Sequence, residues 1–210
     1  MPVAAIDPLA VPRRRQQDRS AATKQAINEA TIRCLITLGY GRTTMSAVTD
    51  EAGVSRGAVT HHFHSKQEMI FSAIDRLASC VADELREASR AIDPEDDRTT
   101  QVMLLLWQSF VGDLFHASLE LWVAARTDPE LRDALLESER RLGVRNRELL
   151  SEMFGTEIAS SPNFDTALDT TFNLMRGVAV TGILRHDTER ESQLVTAWAQ
   201  IFTEMVSTTR

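Results

Sequence analysis

The sequence predicts an all-α fold, with a small three-helix head at its N-terminal end, a larger helical body behind it, and about nine helices in all. Three observations predict it. Apolar residues recur at three- and four-residue steps along most of the 210 residues, with no strand-rich alternation and no internal repeat. Capping residues and glycines punctuate that pattern at the spacing of ordinary helices: Ser55, Ser65, Asp128 and Thr188 as starts, Gly39, Gly53 and Gly155 as stops. The net charge of -7 is unevenly spread. Residues 1–66 hold nine Lys/Arg against five Asp/Glu, whereas the rest of the chain holds 14 against 25. A basic head on an acidic body suits a nucleic-acid reader with a separate regulatory part.

Residues 1–17 contain Pro2, Pro8 and Pro12 and no apolar period, so they read as a flexible basic arm. Arg14 and Arg15 suit a phosphate track or a minor groove; a solvated tail is the other reading. Residues 18–65 form the head. From Asp18 to Leu38, Ala22, Ala26, Ile27, Ala30, Cys34, Leu35 and Leu38 mark one helix face, and Gly39 and Gly41 end it. Met45 to Ala52 is a short second helix with Thr43 or Thr44 as N-cap. Gly53 supplies a turn that needs positive φ. Ser55 caps a third helix, Arg56 to Phe63. Val48, Ala52, Val54, Val59 and Phe63 face inward; Arg56, Thr60, His61 and His62 are left facing out. This is the layout of a helix-turn-helix whose second helix enters the DNA major groove. Gly57 costs its helix about 1 kcal/mol against alanine, which makes sense where a phosphate backbone approaches closely. Ser65 to Glu68 is an S-x-x-E capping box. It leaves Lys66 at the positive end of a helix dipole, a conflict that an incoming phosphate would relieve.

Thr43-Thr44, Val48, Ala52-Gly53-Val54-Ser55-x-Gly57 and His62-Phe63-x-x-Lys66 together resemble the DNA-binding signature of the tetracycline-repressor (TetR) family. Many fixed positions make the match specific. The family usually has tyrosines or other aromatics just before the His-Phe pair, where this chain has Thr60 and His61, so a base contact there would differ. The resemblance implies double-stranded DNA as partner, in the form of a palindromic operator, and Thr43, Thr44, Ser55, Arg56, Gly57, Thr60, His61, His62 and Lys66 as its contacts. It also implies a homodimer and a body, residues 66–210, that binds a small-molecule effector.

In that body Lys66 to about Ala91 is a long helix, the family's link between head and body. Val102 to Trp107 is almost continuously apolar, so the helix from Thr99 to about His116 belongs at the centre. Ala117 to Arg126 follows, after a kink. Asp128-Pro129-Glu130 starts a helix to about Phe154 with one charged face. Thr156 to Asn163 reads as a loop. Two helices with wide apolar faces close the chain, one from about Asn163 to Arg185 and one, opened by a capping box Thr188 to Glu191, to about Ser207. In the resembled family the equivalent pair joins across a two-fold axis. Ala179, Gly182, Ile183, Trp198, Ile201, Phe202 and Met205 are therefore the expected dimer surface, the two small residues allowing close approach. For an effector cavity the candidates are Met103, Trp107, Phe110, Trp122 and Phe172, with Glu120 or Arg176 as the charged anchor; His116, Arg126 and Asn146 are further polar groups in apolar surroundings. A Trp-Glu pocket would favour a lipophilic cation and an Arg-centred one an acid or thioester; the residues leave both open.

Cys34 and Cys80 have neither zinc spacing nor a disulfide framework, so both read as small buried apolar groups in a reducing cytoplasm. No stretch is apolar for 18 residues, so no membrane span is expected. No nucleophile elbow, phosphate loop, metal motif or dinucleotide fingerprint is present, and neither catalysis nor a cofactor is expected. The expected function is a DNA-binding transcriptional regulator, a homodimeric repressor released by a small hydrophobic or amphipathic ligand. The alternative is a ligand-independent or architectural DNA binder whose body docks a protein.

Overall fold

The structure, a computed structural model, describes the backbone of residues 10–93, 95–185 and 187–208, and the side chains from Gln17 onward. Among these residues there are ten helices and no strand. They are α1 (Ala10–Arg42), α2 (Met45–Ala52), α3 (Arg56–His62), α4 (Lys66–Arg90), α5 (Arg98–Val111), α6 (Asp113–Ala125), α7 (Pro129–Phe154), α8 (Thr156–Ala159), α9 (Phe164–Gly182) and α10 (Thr188–Ser207). The chain forms two compact units that divide between Arg76 and Leu77, inside α4. A boundary drawn at Lys66 falls at the start of that helix.

The first unit packs α1, α2 and α3 around Ile27, Ala30, Cys34, Val48, Val59, Phe63 and Met69. The expected inward set is there, with Ala52 and Val54 packed against its edge. Helix α1 starts at Ala10, so residues 10–17, expected as part of the arm, are helical. Residues 1–9, and the side chains of Arg14 and Arg15, lie outside the described residues. The helical path breaks at Gly39, whose φ of 75° and ψ of 167° suit glycine best.

The second unit is built around α5, whose Val102, Met103, Leu106, Trp107 and Phe110 are buried among residues of α7, α9 and α10. The α5–α6 break falls at Gly112, four residues before the expected one, and the two helices meet at 57°. Phe154, Phe164 and Phe202 stack and cross at ring distances of 4.8 to 6.3 Å, closing the far end of this core. The segment expected as a loop after Gly155 contains the short α8. Asp128 caps α7 by accepting from the Leu131 N–H at 3.0 Å, with Pro129 in the first turn as expected. The cap of α10 is Asp187, one residue before the expected Thr188, and it accepts from the Arg190 N–H at 3.0 Å. Cys34 is buried but Cys80 is exposed, against expectation, because it lies on the outer side of α4.

Candidate DNA interface and ligand cavity

Local chemistry fixes the position of α3. The Thr44 hydroxyl accepts from the Ala47 N–H at 3.1 Å and starts α2. Gly53 ends α2 with φ 63° and ψ 30°. The Ser55 hydroxyl accepts from the Ala58 N–H at 3.2 Å and starts α3 at once. Val59 and Phe63 anchor the inner side of α3 in the core, so Arg56, Gly57, Thr60 and His61 stand exposed and His62 half-buried. The Thr60 hydroxyl donates to the carbonyls of Arg56 and Gly57 at 3.2 Å. His61 and His62 sit edge to face, 5.3 Å between ring centres.

Thr43 belongs elsewhere. It is wholly buried, and its hydroxyl donates to the Gly39 carbonyl at 2.9 Å. It ties the break in α1 to the start of α2 and presents no side chain to DNA, which corrects its expected role. Gly57 has open space around it: a Cβ there would meet only the Ser55 Oγ, at 3.9 Å. Nothing among the described residues requires a glycine. Ser65 Oγ accepts from the Glu68 N–H at 3.0 Å, and the Glu68 carboxylate accepts from the His64 N–H at 2.7 Å, completing the box that opens α4. The Lys66 ammonium is less exposed to the helix dipole than the sequence suggested. It donates to the Tyr40 carbonyl at 2.5 Å and lies 3.8 Å from the centre of the Tyr40 ring. Tyr40, the sole tyrosine, was not among the expected site residues; its place directly after Gly39, where α1 breaks, was the available signal.

The second unit holds a partly open cavity of about 510 Å³. Ala78, Val81, Ala82 and Leu85 of α4 form one wall; Phe110, Phe115, Trp122, Leu142, Phe172 and Arg176 contribute others. Of the expected ligand residues, Phe110, Trp122, Phe172 and Arg176 line it, as does Asn146. Met103 and Trp107 do not: both are buried in the core of α5, with Trp107 stacked on Phe110 at 6.4 Å. Glu120, His116 and Arg126 also stay out of the lining. The acid beside Trp122 is Glu139 of α7, which accepts the indole N–H at 3.0 Å. Glu139 was not among the expected pocket residues, and no local pattern marks it. Arg147 is paired with Asp165 at 2.5 Å. Arg176 has no such partner among the described residues. Its guanidinium lies 5.0 Å from the Trp122 ring centre and 5.9 Å from that of Phe172, and its Nε is buried with no hydrogen-bond acceptor.

Residues 27–73 match the family model of bacterial regulatory proteins of the tetR family. The HTH-type transcriptional regulator CymR of Pseudomonas putida is 33% identical over 182 residues, covering 85% of this chain and 88% of CymR. The chain belongs to the tetR family. It is a DNA-binding transcriptional regulator. Among solved structures, a transcriptional regulator from Rhodococcus sp. Rha1 has a TM-score of 0.68 at 20% identity, covering 89% of this chain and 99% of that one. A regulator from Saccharomonospora viridis in complex with choline has a TM-score of 0.65 at 16% identity, covering 86% and 96%. Both share the fold of this chain.

In this tetR-family chain α9 and α10 share their apolar residues between inside and outside. Trp198 and Phe202, expected on a dimer surface, are buried in the chain's own core, and the Trp198 indole donates to the Thr171 hydroxyl at 2.8 Å. Ala179 is buried too, and Met205 packs against the same core. A Cβ on Gly182 would meet the Glu191 carboxylate at 2.8 Å, so this glycine makes room within the chain. Ile183 and Ile201 do face out, 53% and 48% exposed, together with Val180, Leu184 and Leu194, which the sequence reading had not assigned to this surface.

Proposed function

We propose that the protein is a homodimeric repressor that leaves a palindromic operator when a small amphipathic molecule enters its body. The observation that carries this reading is the shared helix. The α4 residues Ala78, Val81, Ala82 and Leu85 wall the cavity, and Met69, three turns earlier on the same helix, belongs to the core beneath α3. A ligand that moves the cavity wall would move the seat of the recognition helix. Its differential affinity for the two positions sets the size of the switch. The Saccharomonospora viridis regulator of the same fold, in complex with choline, supports a small-molecule ligand. A filled body would have favoured the alternative in which a protein docks instead, and the cavity stands against that.

The exposed Val180, Ile183, Leu184, Leu194 and Ile201 supply the second copy's seat. Two copies place two α3 helices on half-sites about one DNA turn, roughly 34 Å, apart. Arg56 and Thr60 read base edges; Thr44, Ser55, Gly57, His61, His62 and Lys66 meet phosphates. The basic segment at Arg14 and Arg15 adds affinity without sequence choice. The site of action is the cytoplasm, at the nucleoid.

The test is selection of genomic fragments by the purified protein, followed by footprinting and by mass measurement in solution. The expected result is a dimer on paired half-sites beside a promoter, with sequence choice lost in Arg56→Ala and Thr60→Ala. A monomer in solution, or protection without a consensus, would refute it.

A further inference from the structure

We propose that the effector is an organic anion, an aromatic or otherwise bulky apolar carboxylate whose acid group is held by Arg176. The proposal rests on the reading of the body as an effector domain and names the class of molecule that body takes. Burying a cation with an unsatisfied N–H is unfavourable unless something completes it. Here the chain does not, since the Arg176 Nε has no acceptor and the side chain makes no ion pair among the described residues. The acids lining the cavity do not fill that role. Asp165 is paired with Arg147, and Glu139 accepts the Trp122 indole N–H rather than a bond from Arg176. Asp169 is exposed and lies seven residues earlier on α9, about 10 Å along the helix axis.

The aromatic groups make the case against a cationic effector. A lipophilic ammonium would seek the face of Trp122 or Phe172, but the Arg176 guanidinium already lies over both rings. A second cation there would meet like charge, whereas a carboxylate would find a planar fork lying over two rings. Asp169 fixes the polarity of the ligand along α9: the acid end at Arg176, the apolar body against Phe172, Phe110 and Leu114. A volume of about 510 Å³ has room for a two-ring molecule.

The experiment is calorimetric titration of the full-length protein with three probes: 2-naphthoate, the isosteric neutral 2-naphthamide, and benzyltrimethylammonium. Operator release is followed in parallel. The expected result is that naphthoate binds at least tenfold more tightly than naphthamide, that the ammonium does not compete, and that Arg176→Gln abolishes the difference between acid and amide. Equal binding of acid and amide, preference for the ammonium, or an unaltered preference in Arg176→Gln would overturn the anion assignment while leaving an effector domain in place. Failure of all three probes to bind a folded protein, judged by its helical circular dichroism, would overturn the anion assignment and count against the effector reading as well.

Discussion

The DNA-reading unit and the cavity-bearing unit treat their polar groups in opposite ways. In the first, the hydroxyls of Thr43, Thr44, Ser55 and Thr60 all have internal partners, and the Lys66 ammonium is seated on Tyr40. In the second, a guanidinium is held over two aromatic rings with its Nε left without an acceptor. A surface that reads DNA benefits from a fixed shape before contact, because ordering it on binding would subtract from affinity. A site that senses a molecule benefits from an interaction left open, because closing it is what distinguishes the occupied state. If the second unit is the effector domain proposed above, the two units put their stability to different uses, and substitutions at matched places should separate them.

The largest effects should come from the two aromatic anchors. Phe63 and Phe202 are both fully buried, one beneath α3 and the other at the crossing of Phe154 and Phe164. Replacing either by alanine should cost about 3–5 kcal/mol, measured by urea unfolding. Phe63→Ala should abolish DNA binding at temperatures where the cavity unit still unfolds cooperatively. If both variants lost both properties together, the units would not be separable and the comparison would fail.

Arg176→Met should go the other way. Arg176 is half-buried, and removing its buried, unbonded Nε while keeping a long apolar stem should stabilise the ligand-free protein by about 1 kcal/mol. No such gain is expected in the first unit, where Thr44→Ala removes a satisfied cap and should cost about 1 kcal/mol. Urea midpoints for the pair decide the point: a destabilised Arg176→Met would mean that its stacking on Trp122 and Phe172 outweighs the open Nε.

Gly57→Ala isolates function from fold within the reading unit. With only the Ser55 Oγ at 3.9 Å in its way, the added methyl should raise stability by up to about 1 kcal/mol. The same methyl should weaken operator binding about tenfold, or about 1.4 kcal/mol, if a phosphate backbone passes close to α3. Melting and fluorescence anisotropy measure the two effects. A stabilised variant with unchanged affinity would show that no backbone approaches there.

The two units also differed in how far the sequence revealed them. Capping groups, a glycine turn and inward apolar residues lie within residues 43–68, so local spacing was enough to place α2, α3 and the start of α4. The misplacement there, Thr43, arose because two adjacent threonines can both cap and only packing decides which one turns inward. In the body the helices were legible from periodicity, but the lining of the cavity was not. Trp107 and Phe110 are both apolar and one turn apart, yet only Phe110 reaches the cavity. Glu139 is brought to Trp122 by the packing of α6 on α7, a contact across 17 positions that no local pattern encodes. The faces of α9 and α10 were too wide to divide by pattern, and only the folded chain separates Trp198 and Phe202 inside from Ile183 and Ile201 outside.

The smallest effect should be a pH dependence confined to the reading unit. His62 is half-buried at the end of α3, and its imidazolium is disfavoured first by that burial, then by His61 beside it and by Lys24. Its pKa therefore lies below the ordinary value for histidine. As the pH falls through about 6.5, the unfolded chain takes up a proton at this residue before the folded chain does. Stability should be fully present above that pH, decline below it, and level off once the depressed folded-state value is passed. His62→Gln should remove this part of the acid sensitivity, seen as a smaller difference between urea midpoints at pH 7.5 and 5.5. Contact with phosphate reverses the sign, since an anion favours the protonated ring. Operator affinity should then rise over the same interval in which the free protein loses stability, and His62→Gln should flatten both trends. If only the stability trend disappears in the variant, His62 is a packing residue of α3 and the phosphate contact belongs to His61.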